Sequence, residues 1–149
     1  MAAATLQTLL DQQALQALIT AYAYAIDERD WDRLDAIFTS DAHIDYTAMG
    51  GIAGAYPEIR KWLPLALARF PGYMHLMGNC QFEISGDEAS GKIACFNPMV
   101  LPMPDGGTDT MFLGLWYLDR YRRTAQGWRI CERVERKSYA YNVPAALRL

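Results

Sequence analysis

Apolar side chains recur along the first part of the chain with the spacing of an α-helix. Between residues 5 and 27, one apolar stripe repeats at i, i+3, i+4, i+7 and i+11, and it consists of Leu15, Leu18, Ile19, Tyr22 and Ile26. A stripe of this kind is typical of an amphipathic helix that packs on a core. The pattern therefore predicts a helix over 5–27, with Thr5 as its N-cap.

Shorter elements are predicted after this helix. Asp30 can cap a second, short helix whose apolar side would be Trp31, Leu34, Ile37 and Phe38. Alternation over 42–46 predicts a short strand, and the small residues and glycines of 47–57 predict a loop. A third helix should follow, with Pro57 in its first turn and a kink at Pro64.

Beyond Pro71 the pattern becomes that of strands. Long strands are predicted at 72–85, 92–102, 108–123 and 128–141, joined by short turns. Helices followed by an antiparallel meander predict an α+β fold, with the helices on one side of the sheet. Because long strands coil, the sheet should form a cone around the helices with a cavity at its open end. No repeat or linker divides the chain, so 1–149 is interpreted as a single domain.

Composition and charge narrow the possible partners. The net charge of -3 gives no indication of a nucleic-acid partner, and no apolar stretch approaches the roughly 20 residues of a membrane span. The three cysteines lack CxxC spacing, and the first residues lack a signal-peptide pattern, which together predict free thiols and a cytoplasmic location. Two isolated histidines and the absence of a phosphate-binding loop predict no metal and no cofactor.

Two residues stand out as candidate chemistry. His75 could remove a proton from carbon near neutral pH if it lay in an apolar pocket. Asp27 occupies a helix C-terminus, where a carboxylate is unfavourable, and it would be explained if it fixed the tautomer of the His75 ring. The structural alternatives are a core histidine and a turn-forming acid. The other histidine, His43, is expected to be exposed.

Further polar residues could assist such a base. Tyr22 and Tyr46 offer phenol groups to an oxygen that gains charge. Asn97 is an ambiguous polar position within a strand. Strand alternation places Arg136 on one face with Ile130 and Val134, so it is either an anion or carbonyl donor or the point where that face reaches water. The apolar lining of the cavity is predicted to include Trp62, Met77, Met99, Phe112 and Trp116.

The chain resembles the SnoaL-like branch of the NTF2-like (cystatin-like) superfamily over roughly residues 6–142. The motifs that carry the resemblance are "YAYAIDERDWDRLDAIF", "AHIDY", "MHLMGN", "GLWYLDRYRRTAQGWRI" and "ERKSY". Within this group the chain is similar to scytalone dehydratase, the bile-acid 7α-dehydratases and hexachlorocyclohexane dehydrochlorinase. The resemblance implies a cofactor-free elimination and places the His–Asp pair of these enzymes on His75 and Asp27.

The resemblance also implies roles for other residues. Tyr46 matches a pocket tyrosine of scytalone dehydratase, Tyr22 a catalytic tyrosine of the bile-acid dehydratases, and Arg136 a pocket arginine of several members. The chain departs from these families at two positions. Ile26 stands where scytalone dehydratase has a second tyrosine, and Asn97 stands where the bile-acid enzymes have an aspartate.

Together these observations predict a cofactor-free lyase, a dehydratase-type enzyme for a hydrophobic ring-containing small molecule such as a steroid or polyketide. An isomerase on the same scaffold, or a non-catalytic hydrophobic-ligand-binding or assembly protein, are the alternatives. The segment "MFLGLWYL" is apolar on both faces. A strand that is apolar on both faces is covered on both, so a homodimer through the outer sheet face is expected.

Overall fold

The computed structural model describes residues 5–147, in which helices pack against one curved, unclosed sheet of six strands. The α-helices are α1 (Leu6–Asp27) and α2 (Tyr56–Leu67), and two short 3-10 helices span Trp31–Ala36 and Thr47–Met49. The strands are β1 (Phe38–Asp45), β2 (Ala53–Ala55), β3 (Leu76–Ser85), β4 (Glu88–Pro102), β5 (Thr108–Thr124) and β6 (Gly127–Tyr141). The predicted class, α+β with N-terminal helices in a mainly antiparallel sheet, is confirmed.

The strand order explains the shape of the sheet. The order is β2-β1-β6-β5-β4-β3, so the last four strands form a meander and β1 lies beside β6. The β1–β6 pair is parallel, with Ile44 opposite Arg133, while the other pairs are antiparallel. This arrangement brings the end of β1 and the second half of β6 to the same end of the sheet, where α1 and α2 cover its inner face.

Helix α1 begins and ends close to the predicted residues. The hydroxyl of Thr5 accepts a hydrogen bond from the backbone N–H of Thr8 at 3.1 Å, which confirms the N-cap. Leu15, Ile19 and Ile26 of the stripe are fully buried. No helix within residues 5–147 combines the length and the apolar character of a membrane span.

A partly buried ionic contact fixes the first half of α1 on the sheet. Both carboxylate oxygens of Asp11 accept hydrogen bonds from Arg123, each at 2.8 Å, and one also accepts from the indole N–H of Trp128 at 3.1 Å. The Arg123 guanidinium holds the pKa of the Asp11 carboxyl far below its usual range. The contact therefore joins α1 to the β5–β6 hairpin.

Several boundaries differ from the prediction, and each difference has a long-range cause. The predicted short helix ends at Ala36, and Phe38 begins β1 because this segment pairs with β6. The predicted loop contains β2, which gains its strand conformation by pairing with β1. Strand β3 begins at Leu76 rather than at 72, so His75 precedes the strand.

Register shifts between paired strands change which side chains face the core, and two of them affect strands that carry predicted site residues. In β3 the register shifts between Met77 and Cys80. In β6 it shifts between Ile130 and Glu132, which pair with Tyr121 and Arg120 of β5. A bulge reverses the alternation of side chains beyond it. Ile130 and Arg133 are thus both fully buried on the inner face, and Arg136 lies on the outer face. The interpretation that Arg136 shares a face with Ile130 is therefore corrected.

The inner face of β4 leaves no room for a side chain at one position, and this generates a stability prediction. A Cβ atom at Gly91 would lie 2.9 Å from the Phe82 ring and 3.0 Å from the ring of the buried Tyr121. We expect Gly91→Ala to lower the free energy of unfolding by roughly 1–3 kcal/mol, because the enclosed Tyr121 ring cannot move aside. Urea denaturation of both proteins measures the difference.

Gly78→Ala is the matched control, since a Cβ at Gly78 would meet its nearest atom, a backbone oxygen, only at 3.8 Å. Equal losses for the two variants would show that the added methyl group at Gly91 is not resisted by the two rings.

Candidate active site

A cavity of about 360 Å³ opens between the two α-helices and the inner face of the sheet. Much of its wall is apolar, formed by residues such as Leu63, Phe70, Met99, Met111, Leu113 and Leu115. Its polar groups come from Tyr22, Tyr46, His75, Asn97, Arg69 and Glu135. A largely apolar cavity with a few polar groups is the usual form of a small-molecule site.

His75 is held in this cavity by the C-terminal residue of α1. Its ring Nδ1 lies 2.7 Å from Oδ1 of Asp27, and its backbone N–H donates to both carboxylate oxygens at 3.1 and 2.9 Å. One carboxylate therefore fixes both the backbone and the ring. Since Nδ1 is engaged with Asp27, Nε2 is the ring nitrogen available to a molecule in the cavity.

The segment before β3 is fixed independently of this pair. The Tyr73 hydroxyl donates to the carbonyl of Ile26 at 3.0 Å, and the Met74 N–H donates to the carbonyl of Pro98 at 3.2 Å. The Asn97 side-chain amide also donates to the Met74 carbonyl, at 2.8 Å. These bonds hold the segment between α1 and β4, which places His75 at the end of α1.

Tyr22 and Tyr46 form a hydrogen-bonded pair of phenols beside the histidine. Their hydroxyl groups lie 2.8 Å apart, and both side chains are buried. Burial raises the pKa of both hydroxyls, so both are neutral donors at ordinary pH. The Tyr22 ring meets the His75 ring edge-on at 6.3 Å, so α1 supplies both the carboxylate behind the histidine and a phenol beside it.

A fully buried ion pair lies next to the phenols. Arg133 donates to both oxygens of Asp119, at 2.8 and 2.6 Å, and neither side chain is exposed. The guanidinium carbon lies 4.0 Å from the ring centroids of both Tyr22 and Tyr117. The charge of Arg133 is therefore balanced by one carboxylate and covered by two aromatic faces.

Glu135 reaches the cavity two residues after Arg133. Its Oε2 atom is enclosed and has no hydrogen-bond partner among residues 5–147. Burial raises the pKa of the Glu135 carboxyl to about 8, although the nearby Arg133 opposes this shift and Asp45 adds to it. Glu135 is consequently a protonated carboxylic acid near neutral pH.

The structure brings six of the residues predicted for the site to the cavity: Tyr22, Tyr46, Trp62, His75, Asn97 and Met99. Asp27 lies behind His75, as the geometry above shows. The remaining four are elsewhere. Met77 packs against the hydrophobic core, and Phe112, Trp116 and Arg136 lie on the outer sheet face.

The prediction placed these residues in the cavity because the sequence pattern did not show which face of each strand points inward. In β5, Met111, Leu113 and Leu115 face inward, so Phe112 and Trp116, which occupy alternate positions, face outward. Phe112 stacks on Phe96, and the Arg136 guanidinium lies 5.0 Å from the Trp116 ring centroid.

Sequence reasoning missed three residues near the cavity: Asp119, Arg133 and Glu135. Local sequence patterns alone place the charged residues of β6 on a solvent-exposed face of the strand. The available signal is that Asp119 follows the apolar run of β5 directly and alternates with Tyr117 and Tyr121 on one strand face, which favours a buried partner charge.

Comparison with known proteins identifies the family. The model of the SnoaL-like domain matches residues 7–134. The chain belongs to the SnoaL-like family. The sequence-based identification of a SnoaL-like, NTF2-like protein is thus confirmed. Within residues 5–147, this SnoaL-like domain has no group of three His, Cys, Asp or Glu residues suited to hold a metal ion.

Several known proteins are similar to this SnoaL-like chain in sequence or in fold. Uncharacterized protein Rv2910c of Mycobacterium tuberculosis is 47% identical over 129 residues, which cover 87% of this chain and 86% of that protein. A candidate scytalone dehydratase from Novosphingobium aromaticivorans superposes with a TM-score of 0.80 at 18% identity, covering 92% of this chain and 90% of that one. Hexachlorocyclohexane dehydrochlorinase LinA-type3 from Novosphingobium barchaimii gives 0.77 at 20% identity, covering 94% of each.

The protonated Glu135 generates a pH prediction. The folded state keeps the Glu135 proton up to about pH 8, whereas the unfolded chain releases it near 4.5. Between these values the folded state binds more protons, so the contribution of Glu135 to stability falls as pH rises. Glu135→Gln removes this titration. We expect the thermal midpoint of the variant, relative to the wild type, to increase from about pH 5 to about pH 9.

Circular dichroism melts across this pH range provide the measurement. Glu132→Gln, at another acid of β6, is the control and should show no such trend. A difference between the Glu135→Gln and wild-type midpoints that stays constant with pH would contradict the raised pKa.

Proposed function

We propose that the protein is a cofactor-free lyase that eliminates water from a hydrophobic, ring-containing small molecule such as a steroid or polyketide. The observation that carries the proposal is the 2.7 Å contact between His75 and Asp27 at the wall of an apolar cavity. A carboxylate on one ring nitrogen leaves the other as a base and stabilises the imidazolium that forms.

The proposed reaction begins with His75. Its Nε2 removes a proton from a carbon next to a carbonyl group or an activated ring, while Nδ1–H stays bonded to Asp27. One phenol of the Tyr22–Tyr46 pair donates to the other, so the second phenol has a free O–H that donates to the oxygen that gains negative charge. The electron pair left on carbon forms a double bond as the hydroxyl group departs.

The walls of the cavity support the substrate class. A volume of about 360 Å³ lined by Met, Leu and Phe side chains suits a compact apolar ring system. The similar architecture of a candidate scytalone dehydratase and of a hexachlorocyclohexane dehydrochlorinase supports an elimination on such a ring. The same proton removal would also serve an isomerase, which returns the proton to another carbon. Mass spectrometry of the product separates the two reactions, because only the lyase releases water.

We propose in addition that the protein is located in the cytoplasm. Cys80, Cys95 and Cys131 are all free thiols, and Cys95 is buried. Free thiols persist in a reducing compartment, which supports a cytoplasmic enzyme.

The first test of this function uses the two residues of the pair. Hydroxylated steroids and aromatic polyketides are screened against the pure protein, and turnover is measured for any accepted substrate. We expect His75→Ala to lose activity and to keep its fold, because the backbone N–H that Asp27 binds is retained. The rate should fall about 10²–10⁴-fold, as expected for the loss of a general base.

Asp27→Asn should also lose activity, since the amide does not stabilise an imidazolium. Its thermal midpoint should fall as well, because an NH₂ group would face the backbone N–H of His75. His43→Ala is the control, as this histidine is exposed on β1. Wild-type turnover in His75→Ala would refute the proposed base.

We further propose that the chain forms a homodimer through the outer face of the sheet. An outer patch of apolar side chains lies there, formed by Leu76, Phe96, Phe112, Tyr139 and Tyr141. Four of the five are exposed. Contiguous exposed aromatic groups on a sheet face favour packing against a like face.

This assembly is tested by light scattering after gel filtration at micromolar concentration. The wild type should have the mass of a dimer, and Phe96→Glu should be a monomer, because a buried, unpaired carboxylate is unfavourable. Leu65→Glu, which changes an exposed residue of α2 on the other side of the sheet, should remain a dimer. A monomeric wild type would refute the proposal.

A further inference from the structure

The proposed elimination requires two proton transfers at different atoms. One proton leaves carbon, and another must reach the departing hydroxyl group, because hydroxide is a poor leaving group near neutral pH. His75 accounts for the first transfer. The second requires a group that faces the cavity and holds a proton when the reaction begins.

Glu135 has the geometry for the second transfer. It lines the same cavity as His75 but comes from β6, on the sheet, whereas His75 is held by the end of α1. Its enclosed Oε2 has no partner among the described residues, so the oxygen is unsatisfied unless a ligand contacts it. An enclosed polar atom without a partner beside a cavity is placed to form a hydrogen bond with a group bound in that cavity.

The other polar groups of the cavity are less suited to this transfer. The Asn97 amide is bonded to the Met74 carbonyl and has no proton to release. Tyr22 and Tyr46 bond to each other, and burial raises the pKa of both well away from neutrality, so they donate hydrogen bonds rather than protons. Arg69, a further lining residue, offers a guanidinium, which serves as a hydrogen-bond donor.

We propose that Glu135 is the general acid of this site and delivers a proton to the leaving hydroxyl group. This inference rests on the proposed lyase function. His75 takes the proton from carbon, the C–H electrons form the new double bond, and the C–O bond breaks as its oxygen receives the Glu135 proton. Water leaves, with His75 as imidazolium and Glu135 as carboxylate, and a proton passing from the first to the second restores the enzyme.

The groups around Glu135 keep this proton available near neutral pH. On its own strand Arg133 favours the carboxylate, and Asp45 of β1 favours the acid. From the other packed elements the buried groups are the phenols Tyr22, Tyr46 and Tyr117 and the thiol of Cys95. All four are neutral near pH 7, because burial raises each pKa. Arg133 is already paired with Asp119, so its attraction for a second carboxylate is reduced.

The first experiment needs no substrate. Carboxyl ¹³C shifts of the labelled wild-type protein are followed by NMR against pH, and Glu135→Gln identifies the signal that belongs to Glu135. A midpoint near 8 supports a proton donor at neutral pH. A midpoint near 4.5, the ordinary value, overturns the proposal whatever reaction the protein catalyses.

The second experiment uses an accepted substrate from the screen. Glu135→Gln keeps the size of the side chain and a hydrogen-bond donor, so it should lower kcat by about 10²-fold or more while KM changes little. In the wild type, kcat/KM should fall as pH rises through about 8, and the variant should lose this limb. Glu132→Gln, the matched change on the same strand, should keep both rate and limb.

Wild-type turnover and an unchanged alkaline limb in Glu135→Gln would overturn the assignment. That result is distinct from failure of the proposed function, in which His75→Ala and Glu135→Gln would both retain activity. If His75→Ala lost activity and Glu135→Gln kept it, His75 would remain the proposed base. Only the role of Glu135 as the general acid would then be refuted.

Discussion

A charged guanidinium enclosed inside the sheet is the constraint around which the site is built. Burying Arg133 without compensation would cost several kcal/mol, so the fold must supply an opposite charge and cover the remaining surface. Asp119 supplies the charge, and the rings of Tyr22 and Tyr117 lie on the guanidinium. One residue thus connects α1, β5 and β6. Removing Asp119 alone would leave a buried cation unpaired, which is why the pair must be present together.

The same enclosure sets the properties of the polar groups in the cavity. Burial disfavours the charged forms of Tyr22, Tyr46 and Glu135, so the pKa of each is raised and the neutral form is favoured. Arg133 moderates these shifts without forming an ion pair with Glu135. The site therefore combines neutral hydrogen-bond donors with one histidine, and only His75 has a carboxylate within bonding distance of its ring.

Much of the fold was predictable because it is encoded by local periodicity. The α1 stripe and the long runs of strand-forming residues in β5 and β6, each bounded by turn residues, indicate helix and strand within a few residues. The face of a strand after a bulge was not predictable, because the bulge at β6 depends on the register with β5. Arg136 was therefore placed inside and Glu135 was overlooked. Asp27 and His75 were identified because an acid at a helix end and a rare histidine are visible in the sequence itself.

The position of Asp27 illustrates how a local penalty is offset by distant contacts. A carboxylate at the C-terminus of α1 faces the negative end of the helix dipole, which costs up to about 1 kcal/mol. Two hydrogen-bonded groups of one distant residue, the backbone N–H and the ring of His75, compensate for this. The backbone contact stabilises the fold, and the ring contact fixes the orientation of the imidazole on which the proposed base depends. Because a single carboxylate makes both contacts, the end of α1 is bonded to the backbone and to the ring of His75 together. Removal of the histidine ring leaves the backbone contact in place, whereas removal of the carboxylate eliminates both.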